Sequence, residues 1–556
     1  MMAAEVIRRI GGAGTGKTRY LLEALSEARR EFGLSHREVG LCTFTRAGRQ
    51  ELSERAAGEW GVDVDSLTRS GWFRTAHSIA HRQCGVEKGA LLQGQDGADW
   101  VGESVGGKMK ANYKSDTAET FFESIDGDPV VDVSMKAWDL ARSRLCPLSV
   151  VLREWSATGS VVSIENATAI IGKYERAKSR EGRLDFTDMI SQFAGIKHSV
   201  DGPTECDPKG DVPEEIKVLA IDEAQDSSAI VDRICRRLAD SDSMKRVLLV
   251  GDPYQSIYRF GGSDFRHFLA WDADETTMPR SYRCPPNIMA LGEKCIRGMR
   301  SGYRDRGILP ASHGGTIAQL MDAREAVSRI DTSESVLILG RCGFSLDEYE
   351  LALQDSKIPY CWVDKVHATQ HLYGFRCLWD LERGKVVTGD EWAHAIQMTS
   401  VKSKRHGKLL AHGEKTAWAD GKRGHVNYIR PLVEDLVLAG CTEEFAALVL
   451  SGQWVQCLES RHSDTAAAWR SCAVLHGPEL ASNPKVRLST IHAAKGLEGD
   501  TVILSTISSA AVTAATEVLQ EAYDEECRVN YVAVTRARRN LWIVDDGGKH
   551  SLELPL

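Results

Sequence analysis

With 556 residues the chain exceeds a single hydrophobic core, and at ~150 residues per domain it divides into roughly three or four. Its 42% hydrophobic and 26% charged residues lead to the expectation of an ordinary soluble globular protein, with no apolar run near the roughly 20 residues of a membrane span and no signal-peptide pattern in its first residues. A net charge of −9 excludes a globally basic nucleic-acid coat, but not a nucleic-acid enzyme, whose attraction is carried by a local basic channel. The 14 cysteines run from Cys42 to Cys527 without a C-x-x-C pair, which points to reduced thiols and a cytoplasmic protein rather than disulfides or a zinc knuckle.

The first element is a short strand, Glu5 to Ile10, carrying Val6, Ile7 and Ile10. It runs into Gly11-Gly12-Ala13-Gly14-Thr15-Gly16-Lys17-Thr18, which satisfies G-x-x-x-x-G-K-[ST], the loop whose backbone N–H groups cradle nucleoside triphosphate phosphates. Lys17 is placed to reach the β- and γ-phosphates, and the Thr18 hydroxyl to ligate Mg²⁺. From Arg19 to Phe32, Leu21, Leu22, Leu25 and Ala28 recur at helical spacing, so the loop opens a helix whose N-terminus attracts anions. That strand–loop–helix setting argues against a chance glycine-rich turn.

Val39 to Thr45 reads as a buried strand, followed by a helix from Arg46 to Ala57 with Arg46, Arg49 and Arg55. Its Thr-Phe-Thr end can offer hydroxyls to a phosphate backbone and the Phe44 ring to a base, although a core phenylalanine is the plainer reading. From about Gly85 to Arg180 glycine, aspartate and serine are frequent and no strongly apolar strand appears. This segment is expected to be an inserted, mainly helical subdomain ending in a helix from about Ile164 to Lys178. Its Lys108, Lys110 and Lys114 are either nucleic-acid contacts or a solvated face.

The α/β pattern resumes at Leu184 to Met189, and Val218-Leu219-Ala220-Ile221 forms a buried strand ending in Asp222-Glu223. A carboxylate pair there suits a metal held by Asp222 and a water oriented or deprotonated by Glu223, the alternative being an acidic helix cap. Another strand, Arg246 to Val250, leads into Gly251-Asp252-Pro253-Tyr254-Gln255-Ser256-Ile257-Tyr258-Arg259-Phe260. Gln255 is placed to sense a γ-phosphate, and Tyr258, Arg259 and Phe260 form an aromatic–basic cluster suited to stacking bases.

These stretches resemble the ordered motifs of superfamily 1 helicases, the UvrD/Rep/PcrA group in particular. Pro279-Arg280-Ser281-Tyr282-Arg283 resembles the Asn-Tyr-Arg motif, and Thr490-Ile491-His492-Ala493-Ala494-Lys495-Gly496-Leu497-Glu498 the T-x-H-x-A-K-G-L-E motif. Tyr531-Val532-Ala533-Val534-Thr535-Arg536-Ala537 resembles Y-V-A-x-T-R-A. The resemblance implies an α/β fold of two tandem RecA-like P-loop domains, each with a mainly helical insert and with ATP between them. The implied boundaries are 1–84 and 181–278 for domain 1A, 85–180 for insert 1B, 279–365 and 485–556 for domain 2A, and 366–484 for insert 2B. Carried over by motif, residues Gly11 to Thr18 and Arg19 bind the phosphates, Thr18 and Asp222 hold Mg²⁺, and Lys17, Glu223 and Gln255 serve hydrolysis. Tyr282 would stack on the nucleotide base, Glu498 would contact the ribose, and Arg283 and Arg536 would reach the γ-phosphate from the second domain. An arginine supplied from another domain typically contributes about 10³–10⁵ in rate and ties hydrolysis to domain closure. Phe44, Thr45, His77, Tyr258 and Phe260 would face single-stranded nucleic acid, with Phe260 where the family usually has tryptophan.

Two departures qualify the resemblance. The ten residues before Gly11 contain no glutamine, whereas the family reads adenine with a glutamine-containing segment there, so a looser choice of nucleoside triphosphate is expected. The second insert is compact, and its Lys402, Lys404, Arg405, His406 and Lys408 are either duplex contacts or a solvated loop. The chain's end at Leu556 leads to the expectation of no appended nuclease domain. Ala493-Ala494-Lys495-Gly496-Leu497-Glu498 resembles the 3′→5′ branch. The expected activity is therefore an ATP-dependent, Mg²⁺-requiring helicase moving 3′→5′ on single-stranded DNA and at junctions, with replication or repair proteins as partners and no membrane, in the cytoplasm of a bacterial or phage-infected cell. The alternatives are a translocase that strips proteins from DNA with little unwinding, a nucleotide-switched binding component of a larger complex, and an RNA substrate.

Overall fold

The computed structural model describes residues 4–555 apart from 45, 88, 114–119, 125–127, 158, 160–161, 364–365, 404, 424–425, 546–549 and 553. Thr45, Lys114 and Lys404 therefore lie outside the described residues. The chain forms two compact units, Met1–Gly314 with Ala510–Thr535 and Leu554–Leu556, and Gly315–Ser509 with Arg536–Glu553. Residues 279–314 and 510–535, placed by motif in domain 2A, belong to the first of these units.

The first unit is built on β1 (Glu5–Ile10), β2 (Val39–Thr43), β3 (Trp72–Thr75), β4 (Val218–Ile221), β5 (Arg246–Gly251) and β6 (Asp274–Thr277). They pair in the order β6-β1-β5-β4-β2-β3, every pair parallel. A parallel sheet is covered on both faces, which is why its central strands are near-continuous apolar runs rather than alternating ones. On one face lie Leu21, Leu25, Leu52 and Phe73, and on the other Ile79, Phe193, Ile230 and Ile234. Helix α1 (Lys17–Phe32) buries Leu21, Leu22, Leu25 and Ala28, as their spacing requires.

The inserted segment has its own core around Trp138, Leu152, Ile171 and Tyr174, between α2 (Pro129–Ser143) and α3 (Ile164–Glu181). It also contains an antiparallel hairpin, Met109–Tyr113 with Thr120–Ser124. Met109 is buried and Lys110 exposed, so its first strand is not the apolar run sought in the sequence. The insert is fastened to α4 (Phe186–Ala194) by a buried ion network. Arg142 Nη1 lies 2.9 Å from Asp185 Oδ2 and 3.3 Å from Asp188 Oδ1, and Lys178 Nζ lies 2.9 and 2.6 Å from the same two carboxylates. The Tyr174 hydroxyl donates to Asp185 Oδ2 at 2.9 Å, and Asp185 caps α4. Burial opposes ionisation of Asp185, but Arg142 and Lys178 outweigh it and hold that carboxyl below its ordinary range. Glu175 lies beside Asp185 and Asp188, and Lys178 Nζ reaches it as well, at 3.0 Å.

The second unit carries β7 (Thr316–Leu320), β8 (Val336–Gly340), β9 (Tyr360–Trp362), β10 (Val486–Thr490), β11 (Gly499–Ser505) and β12 (Ala537–Val544). Their order is β7-β12-β11-β8-β10-β9, again all parallel. Between β9 and β10 a helical insert packs Phe375, Trp379, Trp392, Trp454 and Trp469 into one aromatic core. The indole N–H of Trp454 donates to Glu382 at 2.9 Å, and that of Trp392 to the Ala439 carbonyl at 3.3 Å, whereas Trp469 Nε1 is buried with no partner among the described residues. Lys402 and Lys408 pair across a short exposed hairpin. The fold class is thus the expected one: an α/β chain with two parallel sheets and helical inserts.

Candidate nucleotide site and nucleic-acid interface

Ligand loops of a parallel sheet gather at the carboxyl ends of its strands. Here four neighbouring strands, β6-β1-β5-β4, deliver the sequence motifs to one edge. The phosphate loop follows β1, Asp222 follows β4, Asp252 follows β5 and Met278 follows β6. The ladder continues into these loops, with Gly11 N–H donating to Gly251 O at 2.9 Å and Met278 N–H to Ile10 O at 2.8 Å.

Within the phosphate loop Gly14 has φ +69° and packs so closely on the next motif that a Cβ there would lie 2.3 Å from Arg283 Cβ. Ser281 Oγ donates to Ala13 O at 2.7 Å, and Tyr282 N–H to Gly14 O at 2.8 Å. Thus the 281–283 segment is bonded directly to the loop. The Tyr282 ring is 73% exposed and Arg283 is half-buried. Lys17 is buried, with Nζ 4.0 Å from Glu223 Oε1, and Thr18 is half-buried in the first turn of α1. Arg19 is exposed, its Nε donating to Glu23 Oε1 at 2.8 Å one turn on.

Asp222 is buried, and its Oδ1 has no hydrogen-bond partner among the described residues. Burial first, then the neighbouring Glu223, push its carboxyl up to about 7, against the pull of Lys17. Glu223 adopts a left-handed backbone, φ +49°, which a side chain takes only when its surroundings enforce it. Its Oε2 accepts from Gln225 Nε2 at 2.5 Å, while Gln225 Oε1 accepts from the Asp252 N–H at 2.9 Å. An orphaned carboxylate oxygen beside a second carboxylate is the donor chemistry a hard divalent cation requires, so Asp222 and Thr18 fit Mg²⁺.

Asp252 is fully buried and gathers the next loop. Its Oδ2 accepts from Gln255 Nε2 at 2.8 Å and from the Tyr531 hydroxyl at 3.1 Å, and its Oδ1 from Arg306 Nη1 at 2.6 Å. The Tyr531 hydroxyl in turn accepts from the Ala13 N–H of the phosphate loop at 3.2 Å. Tyr531 lies on α5 (Gln520–Val534), one face of which follows the loop in steps of three residues. Along that face Arg528 Nε donates to Ser256 O at 2.7 Å, and Glu525 Oε1 accepts from Arg259 N–H at 3.1 Å. At the loop's far end Tyr258 and Phe260 meet edge to face at 5.9 Å, and Phe260 is 66% exposed. Arg259 and Arg144 both pair with Glu154 of the insert, at 3.0 and 2.8 Å.

Phe44 is half-buried against the core, so only part of its ring faces outward; His77 is half-buried in the first turn of the helix Ala76–Cys84. In the second unit Arg536 is buried, with Nη1 donating to Leu497 O at 3.3 Å, and Glu498 lies 3.5 Å from Arg538. Among the sequence candidates, one unit therefore collects Gly11 to Arg19, Asp222, Glu223, Gln255, Tyr282 and Arg283, while Glu498 and Arg536 belong to the other. Sequence reading missed Gln225, Asp252 and Arg306. Asp252 carried a usable signal, since it ends β5 as Asp222 ends β4; Arg306 stands in no recognisable pattern.

The UvrD/REP helicase N-terminal domain matches residues 6–276, and the UvrD-like helicase C-terminal domain matches residues 473–545, together more than half of the chain. ATP-dependent DNA helicase UvrD2 of Mycobacterium tuberculosis is 24% identical over 592 residues, covering 98% of this chain and 77% of that protein. ATP-dependent DNA helicase PcrA of Staphylococcus epidermidis is 23% identical over 345 residues, 59% of this chain and 42% of its own length. UvrD1 of Mycobacterium leprae is 25% identical over 323 residues, 53% of this chain and 38% of its own. Among the described residues no helix is long and apolar enough to cross a membrane.

Proposed function

The chain belongs to the UvrD-like helicase family, and from that premise we propose that it is an ATP-dependent DNA helicase moving 3′→5′ along single-stranded DNA. The observation that carries this reading is one continuous loop, from Asp252 to Phe260, tied to the phosphate loop through Asp252, Tyr531 and Ala13, with Gln255 bonded to Asp252 and half-buried Tyr258 against exposed Phe260 at its other end. Such a loop ties the state of the nucleotide to the grip on a base, each stacked base contributing about 1–3 kcal/mol.

In this reading Lys17 and the loop from Gly11 to Thr18 hold the phosphates, Glu223 orients or deprotonates the attacking water, and Gln255 senses the γ-phosphate. Arg283 and Arg536 stabilise charge in the transition state, Glu498 contacts the ribose, and Tyr282 stacks on the base. Mg²⁺, held by Thr18 and Asp222, would supply charge neutralisation at the β- and γ-oxygens. Phe44, His77, Tyr258 and Phe260 contact the DNA strand, and Thr45 is assigned to it by motif alone. The four-part division into 1A, 1B, 2A and 2B, with the boundaries given above, is part of the same reading, as is work at junctions with replication or repair proteins in the cytoplasm. The sequence form Ala493 to Glu498 and the sizeable first insert support the polarity.

Hydrolysis of ATP and GTP is measured with and without single-stranded DNA and RNA, alongside unwinding of tailed duplexes. DNA-stimulated hydrolysis with unwinding of 3′-tailed substrates is expected. Unwinding of 5′-tailed substrates alone would overturn the polarity, and hydrolysis without strand separation would favour a protein-stripping translocase. Glu223→Gln is expected to lower the DNA-stimulated rate about 10²–10⁴-fold.

A further inference from the structure

We propose that Arg306 is a positioning residue of the nucleotide site, one buried guanidinium that holds Gln255 and the Ala13 N–H in register through Asp252 and Tyr531. This rests on the hydrolytic reading given above. No sequence motif includes Arg306, yet the geometry puts it at the centre. Its Nη1 donates to Asp252 Oδ1 at 2.6 Å and to the Tyr531 hydroxyl at 3.3 Å, and its Nη2 donates to Glu293. Its guanidinium lies over the Tyr254 ring at 4.7 Å and the Tyr531 ring at 5.2 Å.

Apart from the bond to Glu293, the bonds leaving this centre lead to the nucleotide site. Asp252 uses one oxygen for Arg306 and the other for Gln255 and Tyr531. The Tyr531 hydroxyl donates its only proton to Asp252 and accepts from Arg306 and Ala13, which uses its full capacity. The phosphate loop itself is shaped to this neighbour: a Cβ on Gly12 would lie 2.7 Å from Ile308, 3.4 Å from the Tyr531 hydroxyl and 3.5 Å from Arg306 Nη1. A planar fork can serve Asp252, Tyr531 and Glu293 while lying against two rings, whereas the ammonium of lysine offers no such flat face. Arg306 touches neither nucleotide nor water in this scheme; it sets where Gln255 and Ala13 stand.

Arg306→Met, Arg306→Lys and Tyr531→Phe are compared with the parent in the full chain, reading kcat and KM for ATP with single-stranded DNA, and the melting temperature. Misplacement by about 1 Å costs about 10²-fold in rate, so Arg306→Met is expected to lower kcat by that order. KM should change little, because the misplaced groups act chiefly in the transition state. Arg306→Lys restores part of the loss, and Tyr531→Phe, which removes only a hydroxyl, gives a smaller fall in kcat at an unchanged melting temperature. Parental kcat in folded Arg306→Met, or a loss that tracks only the unfolded fraction, would overturn the proposal. Should Arg306→Met fail to fold, Tyr531→Phe decides: parental kcat overturns it. Glu223→Gln separates the two levels. If that variant hydrolyses like the parent, the underlying site reading fails; if it is inactive while the Arg306 and Tyr531 variants are unaffected, only this inference fails.

Discussion

At the base of the first insert, Arg142 and Lys178 share Asp185 and Asp188, two carboxylates three residues apart at the start of one helix. Beside the phosphate loop, Arg306 shares Asp252 and Glu293, and its partners Asp252 and Tyr531 lie 54 and 225 positions away in the chain. Each network buries a tyrosine hydroxyl that donates to an aspartate, Tyr174 to Asp185 and Tyr531 to Asp252. They differ in where the bonds lead. The first turns back on its own helices and fastens the insert. The second runs outward, through Gln255 and the Ala13 N–H, into the nucleotide site. Similar chemistry therefore anchors in one place and positions in the other.

The largest way to sharpen this contrast is Arg142→Met. It leaves buried carboxylates short of a cation and is expected to cost about 3–5 kcal/mol in chemical denaturation, with hydrolysis per folded molecule unchanged. A loss of turnover without a loss of stability would break the contrast. Next, Phe260→Ala takes the exposed ring from the end of the loop that the second network holds. Weaker single-stranded DNA binding by about 1–3 kcal/mol is expected from fluorescence titration, with no change in melting temperature.

Taken per pH unit, the smallest effect is on the pH dependence of stability, and it belongs to the first network. His198 is held down to about 4 by burial first and then by Arg142, and its Nε2 meets Ser191 Oγ at 2.9 Å. A histidine whose folded pKa is depressed stays neutral while the unfolded chain takes up a proton. Its stabilising effect is complete above pH 6.5 and is lost as pH falls toward 4, by at most about 1.4 kcal/mol per pH unit. His198→Gln should flatten that segment of the stability–pH curve, and an unchanged slope would remove His198 from it.

Strands β1, β2, β4, β5, β8 and the end of β12 were readable because each carries a short apolar run, and the site loops because each follows such a run: Gly11 after β1, Asp222 after β4 and Asp252 after β5. Strand β6, which reads Asp-Glu-Thr-Thr, has no such run and went unread. The hairpin of Met109–Tyr113 with Thr120–Ser124 escaped notice because its strands are five residues each and carry no long apolar run. Asp185 and Asp188 sit three apart, a spacing that signals a helix cap. Arg306 was invisible for the opposite reason: nothing near it in the chain touches Asp252, so only the folded backbone brings them together. Burial of Arg536 is equally a tertiary fact, since the T-R-A pattern names the residue and not its surroundings.

The three-residue steps of Glu525, Arg528 and Tyr531 along α5 carry one more consequence. That helix is a ruler, and what it measures is the distance from the base-stacking end of the loop to the phosphate end. One residue inserted or deleted between Glu525 and Tyr531 would turn the helix by about 100° and slide it by about 1.5 Å, swinging the hydroxyl off Ala13 even with every side chain retained. Count, and not composition alone, is what this part of the sequence has to keep.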